Sequence, residues 1–182
     1  MNKLSRHLIA VGLLLWGWSA PLAGQALAVE YEVKAAFIHN FTKFIDWPSE
    51  AFEGNNSPLR IGILGTGPID KPLLNLNGKK AQKRSLEVSR VQSLKDVSQY
   101  HIIFVNSSEN GSMGSILSTV RGTGILTIGD TPGFLEQCGI INFYLKSGKI
   151  RFEVNIKASQ RENLQISSKL LRLARIVKFQ CD

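Results

Sequence analysis

Apolar residues between Tyr31 and Pro48 recur at Val33, Ala36, Phe37, Phe41, Phe44 and Ile45, the spacing of a helix with one buried face. The pattern predicts a first helix over Tyr31–Pro48. Trp47–Pro48 ends it, because proline disfavours helix at the preceding residue and has no backbone N–H to donate. Lys34, Lys43 and Asp46 fall opposite the apolar stripe, with His39 and Asn40 near its edge. Three phenylalanines on one stripe need a large partner surface, so this helix is expected to open a globular core. His39 and Asn40 read as ordinary polar contacts of a helix flank or, alternatively, as ligands.

Short apolar runs follow. Leu59–Leu64, His101–Asn106 and Gly124–Gly129 have the composition of strands buried on both faces. Ser85–Val91 alternates, with Leu86 and Val88 facing in and Val91 a further candidate for that face. Short helices are expected near Ile69–Leu76, at Leu94–Val97 behind a Ser93 cap, and around Ser112–Val120. Strands alternating with helices at this spacing imply β-α-β units and a largely parallel sheet with helices on its faces.

The pattern then changes. Ile140–Leu145 and Ile150–Ile156 flank Ser147–Gly148, a tight-turn signal. Counting outward from the turn pairs Leu145 with Ile150, Phe143 with Phe152 and Ile141 with Val154 on a core face. Tyr144 with Arg151, and Asn142 with Glu153, share the other face, which is either solvated or lines a polar site. A closing helix is predicted at about Leu164–Phe179, with Leu170, Leu171, Leu173, Ala174 and Val177 inward. The expected fold is a single α/β domain: a mostly parallel sheet flanked by helices, a C-terminal antiparallel hairpin and a closing helix.

Residues 1–28 stand apart from that domain, which begins at Val29. Lys3 and Arg6 make a positive start, Leu8 to Trp18 an apolar stretch, and Ala26-Leu27-Ala28 presents small residues where a signal peptidase reads. A cleavable signal ending near Ala28 and export to the periplasm are expected; Gly12, Gly17, Pro21 and Gly24 argue against a permanent anchor. The remaining chain carries 20 basic and 14 acidic residues, a net of +6. For an exported protein that balance points away from nucleic acid and toward an anionic membrane surface, an acidic partner or simply a solvated basic face. Hydrophobic content of 43% and charged content of 20% are those of a folded globular chain.

Candidate chemistry is sparse. Gly65-x-Gly67 follows a strand, but Asp70 stands where a dinucleotide-binding turn has its third glycine, so a plain βα turn is expected. No phosphate-binding loop, HExxH or CxxC occurs, and His39 and His101 are the only histidines beyond the leader. The inventory predicts no enzyme, catalytic residue, metal or cofactor. Cys138 and Cys181 are the only cysteines, and in an exported protein they are expected to pair. Arg151 and Glu153 leave the polar face of the hairpin, and Arg172 and Arg175 leave the closing helix one turn apart. Together the four are the candidate site for a small anionic or carboxylate ligand, or for an acidic partner surface.

In order and spacing, several segments are similar to those of one known family: KAAFIHNFTKFIDWP at Lys34–Pro48, LRIGILG at Leu59–Gly65, the basic patch at Gly78–Arg84, HIIFVNSSE at His101–Glu109, ILTIGDTPGF at Ile125–Phe134, INFYLKSGKIRFEVN at Ile141–Asn155 and ISSKLLRLARIV at Ile166–Val177. The chain resembles the YfiR/HmsC-like periplasmic regulators over nearly all of its length beyond the leader. The resemblance implies a repressor that binds the periplasmic sensor region of an inner-membrane diguanylate cyclase, restrains cyclic-di-GMP synthesis and limits biofilm. It also implies a homodimer and redox sensitivity through disulfides, although better-known members carry two cysteine pairs and this chain one. The alternative is a periplasmic small-molecule-binding protein with a target unrelated to cyclic-di-GMP.

Overall fold

The computed structural model describes residues 22–54 and 56–181; of the expected leader over residues 1–28, residues 1–21 lie outside the described residues and residues 22–28 belong to the first helix. The described residues begin with α1 (Leu22–Phe41), then β1 (Ile45–Asp46), β2 (Leu59–Leu64), α2 (Asp70–Leu74), β3 (Lys80–Ala81), β4 (Arg84–Arg90) and β5 (Ile102–Val105). After it come α3 (Met113–Thr119), β6 (Leu126–Gly129), β7 (Ile141–Lys146), β8 (Lys149–Asn155), α4 (Ile156–Arg161), β9 (Gln165–Ile166), α5 (Ser168–Leu171) and β10 (Arg175–Val177). No described helix is long and apolar enough to cross a membrane.

Eight strands form one sheet in the order β10-β8-β7-β6-β5-β2-β4-β3. β4, β2, β5, β6 and β7 run parallel, as the alternation of strands and helices requires. β1 and β9 make a separate two-stranded ribbon. Successive residues of β5 face opposite sides. Ile102 and Phe104 join the core that also holds Ala35, Ile38 and Phe41 of α1, while Ile103 and Val105 join a second core with Met113, Ile116 and Leu117 of α3. The sheet is thus covered on both faces, the usual reason for unbroken apolar strands.

The β7–β8 hairpin forms in the expected register, from Leu145↔Ile150 to Ile141↔Val154. Ser147 and Gly148 both adopt positive φ, 50° and 69°, the two-residue turn whose twist matches the strands. Phe143 and Phe152 turn to α1, where Phe37 and Phe41 meet them with ring centroids 4.9–6.1 Å apart. Each such buried ring contributes about 1.5–3 kcal/mol.

Two expectations are corrected. The first helix ends at Phe41. Thr42 Oγ1 donates to the His39 carbonyl at 2.6 Å, and the chain turns so that Ile45, fully buried, pairs with Ile166. The buried stripe is also rotated: Lys34, Ala35, Ile38 and Phe41 face in, while Val33 and Ala36 are exposed. The phenylalanine cluster sets that rotation, and Lys34 finds an acid 96 residues away that local periodicity does not reveal.

The closing helix over Leu164–Phe179 does not form. Ser167 caps a single turn, α5, accepting from the Lys169 N–H at 3.2 Å. Arg175–Val177 then extend and pair with β8 in parallel, Arg175↔Glu153 to Val177↔Asn155. The outer side of β8 would otherwise leave its backbone donors and acceptors unpaired, and β10 satisfies them. Leu173 is consequently 68% exposed rather than inward.

Candidate functional site

The four candidate residues separate into a cluster and two outliers. Glu153 lies on β8 with its side chain 11% exposed; one carboxylate oxygen receives Arg175 Nη2, and the other accepts from Asn142 Nδ2 at 3.4 Å. Register explains the meeting, because Asn142 and Arg175 are the cross-strand neighbours of Glu153 on either side. Arg175 also lies over Tyr144, its guanidinium carbon 5.2 Å from the ring centre. The hydrogen bond to Glu153, followed by that residue's charge, raises the Arg175 pKa above its ordinary value. Arg151 pairs with Tyr144 on the same face and is exposed. Arg172 sits apart, exposed at the C-terminal end of α5, so Arg172 and Arg175 do not share a helix face as expected.

The polar face of the hairpin is therefore half closed. Glu153 and Asn142 are 8% and 5% exposed, and Asn142 Oδ1 has no hydrogen-bond partner among the described residues. A buried acceptor without a donor is unusual and costs about 1–3 kcal/mol. Glu153 already neutralises Arg175. An incoming carboxylate would address Arg151 directly or compete with Glu153 for Arg175, and a donor group would satisfy Asn142.

Cys138 and Cys181 are joined, with Cα atoms 5.6 Å apart. The bond ties the segment after β6 to the chain beyond β10, where Cys181 Sγ lies 3.4 Å from Asn155 Nδ2 at the end of β8.

A second charged cluster escaped the sequence reading. Lys34 Nζ lies 2.8 Å from Asp130 and 2.7 Å from Glu30, and 4.2 Å above the Tyr31 ring. Burial alone would lower the Lys34 pKa; hydrogen bonds to Asp130 and Glu30 outweigh it and raise the pKa. Burial, then the Asp130 charge, raises that of Tyr31. One signal was available: Lys34 falls in the same helical rhythm as Ala35, Ile38 and Phe41, with Glu30 one turn before it.

His101 is structural. Its Nδ1 accepts from the Arg60 N–H at 3.0 Å, its Nε2 donates to the Ala51 carbonyl at 2.9 Å, and Phe52 stacks on it at 4.4 Å. Burial is the largest influence on its pKa and lowers it. The Gly65–Gly67 turn is likewise a plain connection. Asp70, at the position of a third glycine, is buried and bonded to Asn106 and Arg90 at 3.1 and 2.7 Å, an acid where a pyrophosphate would have to sit. A cleft of about 270 Å³ opens beside this turn, between Leu64, Val91, Glu109 and Ile116.

Comparison with known families matches residues 31–175 to the YfiR/HmsC-like family. The chain belongs to that family. The matched region contains α1 from Tyr31 onward, β1 to β9 and Arg175, so Lys34, Asp130, Asn142 and Glu153 lie within it, while Glu30 and the rest of β10 lie just outside. No curated protein matches the chain. Among solved structures, a conserved domain protein from Vibrio cholerae O1 biovar El Tor is similar with a TM-score of 0.54 at 10% identity, over 81% of this chain and 60% of that one. The ABC domain in complex with L-Trp from Streptococcus pneumoniae gives 0.48 at 12% identity, over 65% and 55%. This YfiR/HmsC-like chain thus spans less than two thirds of either structure, and the first likeness is one of fold alone.

Proposed function

We propose that this protein is an exported periplasmic regulator that binds the periplasmic sensor region of an inner-membrane diguanylate cyclase and represses cyclic-di-GMP synthesis, and with it biofilm. The observation that carries this reading is the family match over residues 31–175. A disulfide between the only two cysteines suits an oxidising compartment. In this reading the leader is cleaved near Ala28 and the working form is a homodimer. The partner docks on the polar hairpin face, where Arg151 and the Arg175–Glu153 pair meet an acidic group and Asn142 meets a donor; Arg172 flanks the contact.

The decisive experiment is a pull-down from inner membranes with this protein as bait, alongside cyclic-di-GMP measurement in a deletion strain. Capture of a diguanylate cyclase and raised cyclic-di-GMP on deletion are expected. Unchanged cyclic-di-GMP with the cyclase expressed would overturn the reading. The unpartnered Asn142 oxygen also favours a second reading, a small ligand carrying a donor and a carboxylate at the same site. Binding of such a ligand without any membrane partner would decide for it.

A further inference from the structure

Four exposed lysines lie on two distant segments that are hydrogen-bonded to each other at one edge of the sheet. β3 is the edge strand next to β4. Lys79 and Lys80 enter it, Lys83 follows its turn, and all three side chains are exposed. The C-terminal end of α1 is stitched to this turn. His39 Nε2 donates to the Lys80 carbonyl at 2.8 Å, and Gln82 Nε2 donates to the Thr42 carbonyl at 2.9 Å. The next residue, Lys43, is exposed, and its ammonium reaches Asn40 Oδ1 at 3.1 Å.

The turn is held rather than loose. Gln82 adopts φ 54°, a left-handed conformation unfavourable for a residue other than glycine, and its side chain is committed to Thr42 at the end of α1. Acids do not neutralise the cluster. Glu87, further along β4, is engaged with Arg60 at 3.4 Å, and Asp46 is exposed on β1, beyond the turn that follows Lys43. Neither Lys43, Lys79, Lys80 nor Lys83 has an ion pair among the described residues.

We propose that Lys43, Lys79, Lys80 and Lys83 form a docking surface for an anionic lipid bilayer. Lysine is a compact charge on a flexible stem, suited to a diffuse planar field, whereas a defined phosphate pocket favours the rigid arginine fork. Each lysine brought to an anionic surface strengthens binding about five-fold, so four together contribute on the order of several hundred-fold at low salt. The attraction fades over a Debye length as salt rises. Lipid binding itself stands without the cyclase reading; only its purpose, holding the regulator at the membrane where its partner lies, rests on that reading.

The test is co-sedimentation of the purified protein with vesicles of phosphatidylethanolamine and phosphatidylglycerol against vesicles of phosphatidylcholine, at low and high salt. The variant carries Lys43→Gln, Lys79→Gln, Lys80→Gln and Lys83→Gln. A second variant removes the same charge elsewhere, through Lys146→Gln, Lys149→Gln, Lys157→Gln and Lys169→Gln. The parent should bind the phosphatidylglycerol vesicles in a salt-sensitive way and leave the phosphatidylcholine vesicles free. The cluster variant should bind at least a hundred-fold more weakly with an unchanged thermal melt, and the second variant should lose under ten-fold. Soluble glycerol phosphate should not compete. Equal binding to both vesicle types, equal losses in the two variants, or full competition by glycerol phosphate would each overturn the proposal. Vesicle binding without capture of a cyclase would remove the regulatory reading and leave this one standing.

Discussion

Among the cation–carboxylate pairs that hold peripheral elements onto this sheet, two are unequal. Lys34 joins α1 to Asp130 at the end of β6, with side chains 5% and 8% exposed; Arg175 joins β10 to Glu153 on β8, with side chains 63% and 11% exposed. Lys34 is desolvated and saturated, with two carboxylates and the Tyr31 ring around its ammonium. Arg175 keeps most of its guanidinium in water and covers Tyr144 with the rest. The same charge chemistry therefore does different things. A fully buried pair is costly to break because the survivor is stranded without water; in the second pair only the cation is exposed, and Glu153 without it would keep Asn142 alone. The contrast leaves Lys34 enclosed and Arg175 open to solvent.

The largest expected effect comes from breaking the buried pair. Lys34→Met strands Asp130 and Glu30 and should cost about 3–5 kcal/mol in urea unfolding. Adding Asp130→Leu should recover much of that loss, since an apolar pair replaces an ionic one at little net cost. If Lys34→Met and Arg175→Met unfold at the same urea concentration, the contrast is wrong.

Next in size is the disulfide. Cys138 and Cys181 are separated by 43 residues, and the chain-entropy argument assigns such a bond about 4 kcal/mol. Replacing both with serine should lower stability toward that amount. Amide exchange at Arg175–Val177 should speed up more than in α1, because the tie lies on the β10 side. Alkylation of the unreduced, denatured protein should label neither cysteine.

Arg175→Ala leaves the buried Glu153 carboxylate with Asn142 alone and should cost about 1–3 kcal/mol of stability, and weaken partner binding roughly ten- to a hundred-fold, as loss of a charge-assisted contact does. A thermal melt beside a pull-down separates the two effects. A variant that melts like the parent and binds the partner equally well would remove Arg175 from the site.

The smallest effect is with pH. The pKa values of Lys34 and Arg175 are raised, so both stay charged across the neutral and mildly acidic range. The pKa of His101 is lowered by burial. Its unfolded form therefore holds more protons between the folded pKa and the ordinary value of 6.5. Its contribution is complete above 6.5 and is lost as pH falls through the folded pKa. Melting temperature should fall from about pH 7.5 to about pH 5, and His101→Gln should flatten that slope while leaving the Lys34 and Arg175 effects unchanged.

Much of the site was legible, in part. Counting from Ser147–Gly148 placed Asn142 beside Glu153 and Tyr144 beside Arg151, because a two-residue turn sets register and strand period sets face. The same reasoning missed that this face is buried at Asn142 and Glu153, since burial depends on what the rest of the chain lays over it. It placed Arg175 near Glu153 for the wrong reason, by way of a helix.

What the sequence determined by itself was local: the parallel strands from their apolar runs, the hairpin from its turn, the cap at Ser93, and the family from the order of its segments. The tertiary structure alone decided three matters. Lys34 turned inward because Asp130, far along the chain, could satisfy its charge. Ile45 left the helix because Ile166 offered a strand partner. Arg175–Val177 became a strand because β8 had an unpaired edge. Helical periodicity in a short segment is worth less than the backbone hydrogen bonds and buried charge that distant residues provide, and only the folded chain brings those residues within reach.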